Sequence, residues 1–208
     1  MGAQGFFVAF EGGEGAGKST QVRLLAEALG AQGLDVVTTR EPGGTPSGAA
    51  IRAIVLDPAT GQLTPRAEAL LYAADRAHHV ATVIRPALAR GAVVISDRYV
   101  DSSLAYQGAG RTLDQAEVAQ LSVWATEGLV PDFTVLLDLD PEVGLARAGD
   151  PDRLEAEPVD FHRRVRAGFL NLARAEPRRY VVIDAGRAAD VVFDDVRTAV
   201  DAAVSASR

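Results

Sequence analysis

The 208-residue sequence has no cysteine, almost no lysine and no apolar run near the ~20 residues that a membrane-spanning helix needs. The absence of cysteine excludes disulfides, thiolate nucleophiles and cysteine metal sites. The formal charge of −7 argues against a general nucleic-acid binder, so we expect no nucleic-acid partner. The N-terminus lacks a basic segment followed by a cleavable apolar one. We therefore expect a cytoplasmic protein without membrane association.

A phosphate-binding pattern, G-x-x-x-x-G-K-[ST], runs from Gly12 to Ser19. The run Phe6–Phe10 before it predicts a buried strand, and the run Thr20–Leu29 after it predicts an amphipathic helix. Backbone N–H groups of such a loop surround phosphate oxygens, and the helix start adds its positive dipole end. Lys18 would reach the β- and γ-phosphates of a nucleotide, while the Ser19 hydroxyl would hold Mg²⁺. The residues expected to bind the nucleotide are Gly12, Gly13, Glu14, Gly15, Ala16, Gly17, Lys18, Ser19 and Thr20. The alternative is a glycine-rich turn without a ligand.

Short apolar runs alternate with helical patterns along the chain. Five runs predict strands: Phe6–Phe10, Val36–Thr39, Ala92–Ser96, Thr134–Asp138 and Tyr180–Asp184. The later helical patterns cover Ala49–Leu56, Pro65–Arg90, Leu113–Glu127, Pro141–Ala148, Asp160–Glu176 and Ala188–Ala206. This alternation predicts an α/β, P-loop NTPase-like three-layer fold with a five-stranded parallel sheet flanked by helices. We expect residues 1–208 to form a single domain, with its site at the carboxyl ends of the strands.

Two further groupings point to the same crevice. The third predicted strand ends in Asp97-Arg98, and an Asp in this place helps to hold Mg²⁺ in P-loop proteins. The alternative is a turn Asp paired with a surface Arg. Tyr72 and Arg76 lie one helical turn apart, so a ring and a guanidinium group could stack on a planar base and bond its edge. The alternative is an ordinary helix pair, with the Tyr partly buried and the Arg in solvent.

Arginines accumulate near these groupings. Arg52, Arg76 and Arg98 would form a cluster that suits phosphate, although most arginines in most proteins simply face solvent. The segment 147–158 is short, charged and rich in helix breakers. As a mobile lid it could bring Arg147 and Arg153 to a transferring phosphoryl group and exclude water. The alternative for this segment is a solvated loop between helices.

Several stretches together resemble the thymidylate kinases of bacteria. They are Phe10–Thr20 (FEGGEGAGKST), Thr39–Thr45 (TREPGGT), Leu71–Arg76 (LYAADR) and Asp97–Gly108 (DRYVDSSLAYQG). Asp152–Glu155 (DRLE) and Asp160–Arg164 (DFHRR) follow in the order typical of that family. The phosphate loop alone indicates only a nucleotide, whereas the combination of motifs is specific.

The resemblance implies transfer of the ATP γ-phosphoryl group to dTMP, with Mg²⁺, by a homodimer. It implies that Lys18 and Ser19 bind the ATP phosphates and metal, and that Asp97 lies near the metal. The dTMP-binding positions carried over are Glu14, Glu41, Arg52, Tyr72, Arg76, Arg98, Ser103, Tyr106 and Gln107. Among these, Tyr72 replaces the family's usual Phe under the thymine ring, and Tyr106 packs near the deoxyribose.

The catalytic residues expected from the resemblance are Lys18, Arg98, Arg153 and Arg147. The bacterial family keeps its catalytic arginine in the lid, and this phosphate loop also lacks one. The lid is a residue or so shorter than usual. We therefore put forward Arg153 as the main lid arginine, with Arg147 secondary. Two other interpretations are a P-loop kinase for another small acceptor and a nucleotide-dependent switch, although the Asn-Lys-x-Asp motif of GTPase switches is missing.

Overall fold

The structure is a computed structural model that describes residues 5–111, 113–147 and 151–207. Its strands are β1 (Phe6–Glu11), β2 (Val36–Arg40), β3 (Val93–Asp97), β4 (Phe133–Asp138) and β5 (Tyr180–Asp184). Its α-helices are α1 (Lys18–Ala31), α2 (Pro46–Leu56), α3 (Pro65–His79), α4 (Arg85–Ala89), α5 (Val100–Ser103), α6 (Gln115–Thr126), α7 (Pro141–Arg147), α8 (Val159–Ala175) and α9 (Ala189–Ala206). A short 3₁₀ turn, Pro58–Thr60, follows α2.

The five strands form one parallel sheet in the order β2-β3-β1-β4-β5. This confirms the predicted five-stranded parallel sheet and the three-layer α/β fold. The central strand β1 is buried along its whole length, as its unbroken apolar sequence predicts for a strand covered on both faces. All carboxyl ends lie at one edge, so the loops that follow β1, β3 and β4 are neighbours there. That edge carries the site described below.

Alternate residues of β1 face two separate layers of helices. Phe6, Val8 and Phe10 pack in a cluster with side chains of α1 and α9. Phe7 and Ala9 pack on the opposite face, against Val80–Ile84 and α4. A third cluster joins α3, α8 and the segment after β3. The core is therefore split by the sheet, as the period of two residues along a strand requires.

The helical prediction for Pro65–Arg90 corresponds to a continuous path in which α3 passes through a π-helical turn, Val80–Ile84, into α4. The sequence patterns missed a second helical stretch, α5 followed by a π-helical turn at Leu104–Gly110. Its glycines disfavour a helix locally, but its small residues pack closely against α8, where a Cβ at Gly168 would lie 3.1 Å from that of Ala109. Packing thus overrides local propensity in this stretch.

The segment predicted as a lid is only partly described. Arg147 ends α7, and residues 151–158 form turns that lead into α8, while residues 148–150 lie outside the described residues. Within the described ranges, none of the helices combines the length and apolar character needed to cross a membrane.

Candidate active site

The loop between β1 and α1 follows a path that depends on glycine. Gly12, Gly15 and Gly17 have φ angles of 140°, 64° and 84°. A Cβ at Gly12 would lie 2.4 Å from the backbone oxygen of Leu137, so the end of β4 packs directly on the loop. Because α1 begins at Lys18, its first N–H groups lack partners within the helix and can bind an anion. The loop therefore has the backbone needed for a phosphate site.

This loop borders a cavity of about 930 Å³, which we call the phosphate cavity. The cavity lies at the carboxyl edge of the sheet and is largely polar. Its lining residues are Glu14, Gly15, Ala16, Gly17, Lys18, Ser19, Thr20, Arg40, Glu41, Arg52, Asp97, Arg98 and Arg147. Of the predicted ATP-binding residues, only Gly12 and Gly13 are outside this lining, and both instead accept hydrogen bonds from Lys18.

Lys18, the only lysine of the chain, is folded back over the loop. Its ammonium group donates to the backbone oxygens of Gly12 at 3.1 Å and Gly13 at 2.8 Å. Burial, followed by the positive charge of Arg98, lowers the pKa of Lys18 to about 8, although nearby carboxylates act in the opposite direction. An anion in the cavity would favour the charged form of Lys18. The Lys18 ammonium group is thus held beside the loop, where the negative charge of a phosphate would stabilise its charged form.

Ser19 and Asp97 come from neighbouring parts of the sheet edge. The register pairs Phe10 with Asp97, which places the end of β3 beside the loop that follows β1. The Ser19 hydroxyl donates to Oδ2 of Asp97 at 2.7 Å. Both are hard oxygen ligands, the type that Mg²⁺ prefers together with water and phosphate oxygens. Among the described residues no group of three or more His, Cys, Asp or Glu side chains could hold a metal by itself, so a metal here would depend on a nucleotide.

Arg98 has a left-handed backbone with φ of 71°, which is uncommon for a residue with a side chain. The Arg98 N–H donates to the backbone oxygen of Phe10 at 2.9 Å, and the Ser96 hydroxyl donates to the backbone oxygen of Arg98 at 2.7 Å. Its guanidinium group donates to Gly12 O at 3.0 Å and Ser102 Oγ at 3.2 Å. Local strain of this kind persists only where surrounding contacts impose it. Here they fix a half-buried cation between two cavities.

Glu14 is the main counter-charge of Arg98. Its Oε1 accepts from Nη2 of Arg98 at 2.8 Å and from the hydroxyl of Tyr106 at 2.6 Å. Burial alone would raise the pKa of Glu14, but the charges of Arg98 and Lys18 and the Tyr106 hydrogen bond outweigh it, lowering the pKa to about 2. The Arg98 guanidinium also lies 5.1 Å from the Tyr106 ring centroid. Glu14 is therefore ionised and orients both neighbours.

A second, more enclosed cavity of about 510 Å³ lies beside the first, and we call it the aromatic cavity. Apolar surface predominates in its lining, with three tyrosine side chains and three arginines. It is lined by Glu14, Glu41, Pro42, Arg52, Leu56, Tyr72, Arg76, Arg98, Tyr99, Ser102, Ser103, Tyr106, Gln107, Asp152 and Leu154. All nine residues predicted from the resemblance to bind dTMP belong to this lining.

Arg76 is almost fully buried, with 2% of its surface exposed. Its Nε donates to Oε2 of Glu41 at 2.6 Å, and its Nη1 and Nη2 donate to Ser103 Oγ and to the Tyr99 oxygen, both at 3.0 Å. Three N–H groups are thus used, and two of the five remain for a ligand. The other oxygen of Glu41 contacts Nδ1 of His79 at 2.8 Å. Glu41 and Ser103 therefore hold the Arg76 guanidinium group in place, with its remaining N–H groups available to a ligand in the aromatic cavity.

The two cavities share four residues, Glu14, Glu41, Arg52 and Arg98. Arg52 donates from Nη1 to the Pro42 oxygen at 3.1 Å. The cluster of Arg52, Arg76 and Arg98 predicted from the sequence is brought to one crevice, with Arg52 and Arg98 at the junction of the cavities. A ligand in each cavity would thus meet at two guanidinium groups.

The two lid arginines occupy different places. Arg147 donates from Nη1 to the Gly15 oxygen at 3.2 Å and lines the phosphate cavity. Arg153 donates from Nε to the Val55 oxygen at 2.7 Å and from Nη2 to Glu68. Its backbone N–H is also bonded, to the oxygen of Leu56. The hypothesis that Arg153 is the main phosphate-contacting arginine disagrees with this position, because three contacts tie it to the end of α2 and to α3.

The sequence analysis missed several polar residues behind the site. His79 contacts Glu41 and also lies 2.6 Å from the hydroxyl of Thr39. It follows Arg76 by three residues on one helix, a spacing that could have indicated a shared face. Glu68 is buried beneath Gln107 and Arg153. Glu68 precedes Tyr72 by one helical turn, and this spacing could likewise have indicated a shared face. Arg40, which lines the phosphate cavity, offered no signal beyond its place at the end of a strand.

A phosphate loop at the start of α1, joined through arginines to a second enclosed cavity, is the arrangement expected of a P-loop phosphotransferase. The comparison with known families is more specific. A family model described as thymidylate kinase matches residues 10–196. The chain belongs to the thymidylate kinase family.

Curated relatives agree over nearly the whole length of the chain. The chain is 60% identical over 197 residues to a thymidylate kinase of Clavibacter sepedonicus, covering 93% of each. It is 59% identical over 204 residues to one of Leifsonia xyli subsp. xyli, covering 96% of each, and 54% identical over 201 residues to one of Deinococcus radiodurans, covering 95% of this chain and 97% of the relative. The chain is therefore an enzyme that phosphorylates dTMP with ATP in the synthesis of dTTP, and the switch interpretation is set aside.

Proposed function

We propose that dTMP occupies the aromatic cavity and that the ATP phosphates occupy the phosphate cavity. The observation that supports this most is the junction of the two cavities at Arg98 and Arg52. Guanidinium groups bind phosphate through paired, charge-assisted hydrogen bonds. The dTMP phosphate at this junction would face the ATP γ-phosphate across a short gap. Placing two reactants in this way accounts for much of the rate increase in phosphoryl transfer.

The base is recognised at the inner end of the aromatic cavity. Tyr72 offers its ring to the face of thymine, and Arg76 donates to a base carbonyl. Ser103 and Gln107 lie at the base edge, while Tyr106 packs near the deoxyribose, its hydroxyl bonded to Glu14. Burial raises the pKa of both tyrosine hydroxyls, so each remains protonated at physiological pH.

A Mg²⁺ ion fits the oxygen pair of Ser19 and Asp97, with the remaining ligands supplied by water and phosphate. When bound, it would neutralise charge on the β- and γ-phosphates of ATP. The 2.7 Å hydrogen bond between the two side chains shows that both oxygens point to one place. An Asp97→Asn variant should need a higher Mg²⁺ concentration for half-maximal activity. An unchanged Mg²⁺ dependence would contradict this assignment.

The reaction requires little covalent chemistry from the protein. An oxygen of the dTMP phosphate attacks the γ-phosphorus of ATP in line, and the bond from that phosphorus to the bridging oxygen breaks, giving dTDP and ADP. The dTMP phosphate is largely ionised near pH 7, so no strong general base is needed. Lys18 and Arg147 would neutralise the donor phosphates, and Arg98 with Arg52 would hold the acceptor. We assign the primary lid role to Arg147, because Arg153 is tied to Glu68.

A coupled assay of ADP formation with dTMP, dUMP, dCMP and dGMP tests the assignment of the aromatic cavity. We expect dTMP to be preferred over dCMP by up to ~10⁴-fold in kcat/KM, because a cavity built around a donor to the base carbonyl rejects an amino group. The preference over dUMP should be far smaller, since a methyl group contributes only ~1–3 kcal/mol. Arg76→Ala should remove most of the discrimination against dCMP. Unchanged selectivity in that variant would contradict the assignment.

We also propose that the enzyme is a homodimer and that residues 1–208 form one cytoplasmic kinase domain with a lid at 147–158. An apolar groove of about 690 Å³ between α3 and α6, lined in part by Leu70, Leu113 and Leu121, supports a protein interface. Leu70, on α3, is 58% exposed, and Trp124, on α6, is 79% exposed. Sedimentation should give a dimer for the unaltered chain and a monomer for Leu70→Glu. A monomer for both would contradict the proposal.

A further inference from the structure

Glu68 is a fully buried carboxylate just outside the aromatic cavity, near the start of α3. It is not part of the cavity lining. Its Oε1 accepts from Nε2 of Gln107 at 3.0 Å and from Nε of Arg111 at 3.2 Å. Its Oε2 accepts from Nη2 of Arg111 at 3.2 Å and from Arg153. Burying a carboxylate is costly unless hydrogen-bond donors satisfy it, and here four hydrogen bonds do so.

The charge state of Glu68 follows from its partners. Burial raises its pKa, but the hydrogen bonds from Arg111, Gln107 and Arg153 outweigh this effect and lower the pKa below its ordinary value. Glu68 is therefore ionised at physiological pH. An ionised carboxylate can only accept hydrogen bonds. The end of the Gln107 amide that faces Glu68 must therefore be a hydrogen-bond donor.

This requirement fixes the orientation of the Gln107 amide. An amide has one donor end, the NH₂ group, and one acceptor end, the oxygen. Turning the amide over would place its oxygen against the carboxylate oxygen, where two acceptors repel each other. Nε2 must therefore point to Glu68, and Oε1 is left for the cavity. Within the described ranges no group donates to this oxygen, and Gln107 lines the aromatic cavity.

We propose that Glu68 is a positioning residue that sets the hydrogen-bond polarity of the base edge. With Glu68 in place, the cavity presents an acceptor at Gln107 and a donor at Arg76. A pyrimidine with an imide N–H beside a carbonyl matches this pair. Cytosine carries the reverse pattern at the same two positions, a ring nitrogen lone pair beside an amino group. The inference rests on the proposed binding of dTMP in this cavity.

The arginines that hold Glu68 extend the same control to the lid segment. Arg153 belongs to residues 147–158, and its guanidinium group donates to Glu68 and to the Val55 oxygen. Arg111 bridges Glu68 and Glu157, which is in the same segment. Through Arg153, the lid segment thus helps to keep Glu68 charged. This gives Arg153 a role in base recognition that does not require it to touch a phosphate.

The decisive variant is Glu68→Gln, which keeps the shape and removes the charge. The new amide can donate or accept, so the Gln107 amide is no longer forced into one orientation. We expect the ratio of kcat/KM for dTMP to that for dCMP to fall about 10-fold or more, mainly through the KM values. The matched control is Glu157→Gln, which removes the other carboxylate partner of Arg111 without touching Gln107. Its selectivity should equal that of the unaltered chain.

A double-mutant cycle separates positioning from a general structural effect. In a Gln107→Leu background, Glu68→Gln should cause no further loss of selectivity, because the amide that it orients is gone. Additive losses, or an unchanged ratio in Glu68→Gln alone, would overturn the proposal. If Glu68→Gln does not fold, Glu68→Asp keeps the charge but draws back from Gln107, and its ratio should fall in the same direction. An unchanged ratio in that variant would also overturn it.

Different results would contradict the proposed binding of dTMP in the aromatic cavity. If the unaltered chain shows no preference for dTMP over dCMP, or if Arg76→Ala leaves the preference intact, the assignment of the aromatic cavity is wrong. Suppose instead that the unaltered chain prefers dTMP, that Arg76→Ala loses this preference, and that the Glu68 variants keep it as Glu157→Gln does. The cavity assignment then stands, and the proposed role of Glu68 is wrong.

Discussion

Arg98 donates a hydrogen bond from Nη2 to Oε1 of Glu14 at 2.8 Å, at the junction of the two cavities. Glu14 comes from the phosphate loop and Arg98 from the turn after β3, and both residues line both cavities. The carboxylate also accepts from Tyr106. Glu14 therefore aligns the phosphate loop, the Arg98 guanidinium group and the Tyr106 ring through two hydrogen bonds.

The depressed pKa of Glu14 makes this pair a source of pH-dependent stability. Because its pKa falls from 4.5 to about 2 on folding, the contribution is complete above pH 4.5 and is lost as pH falls towards 2. The stability difference between the unaltered chain and Glu14→Gln should therefore be smaller at pH 4 than at pH 6.5, by about 1 kcal/mol. Urea unfolding followed by circular dichroism measures it. The exposed Glu27→Gln controls for net charge, and an equal difference at both pH values would contradict the prediction.

Lys18 allows a direct measurement because no other lysine is present. Protein labelled with ¹³C-lysine should give one Cε signal, and its titration in the free enzyme should have a midpoint near pH 8, since burial and Arg98 lower its pKa. A non-hydrolysable ATP analogue should move the midpoint to above about 9, because phosphate charge favours the ammonium form. A free-enzyme midpoint near 10.5, or one that the nucleotide leaves unchanged, would contradict the position of Lys18 at the phosphates.

The two lid arginines should differ in kinetic effect. Arg147→Ala removes the guanidinium group that lines the phosphate cavity, and we expect kcat to fall by ~10²-fold or more with little change in the dTMP dissociation constant. Arg153→Ala leaves Glu68 with one fewer partner, and we expect mainly a higher KM for dTMP. Steady-state kinetics and equilibrium dTMP binding on both variants test this. A larger loss of kcat in Arg153→Ala would restore the assignment made from the sequence.

A buried chain of contacts behind Arg76 predicts a role for His79. With a proton on Nδ1, His79 donates to Glu41, and the Thr39 hydroxyl donates to Nε2. His79→Leu removes one of the two groups that orient Glu41, so Arg76 loses its fixed position. We expect KM for dTMP to rise about 10-fold while kcat changes less. His79→Asn keeps a donor near Nδ1 and should recover part of the loss. Equal kinetics for the Leu variant and the unaltered chain would exclude this role.

The local elements of the site were predictable from the sequence. The phosphate loop needs glycine where φ is positive and where Leu137 leaves no room for a Cβ, and both constraints are encoded within eight consecutive residues. The five strands were predicted from their short apolar runs; β1, β3 and β4 are mostly buried, whereas β2 and β5 lie at the sheet edges and are partly exposed. The stretch after β3 was missed because its glycines and short polar side chains disfavour a helix, whereas its packing against α8 stabilises one.

The sequence by itself determined the type of chemistry: a nucleotide phosphate loop, a strand-end Asp-Arg pair and the family motifs around them. These are short-range patterns, and short-range backbone geometry fixes what they can do. Only the tertiary structure decided which lid arginine lines the phosphate cavity and which carboxylate faces Gln107. Arg147 and Arg153 are six residues apart in the sequence, yet one contacts Gly15 and the other Glu68. The packing of α2, α3 and α7 separates them, because a long flexible side chain binds the partner that the fold brings within its reach.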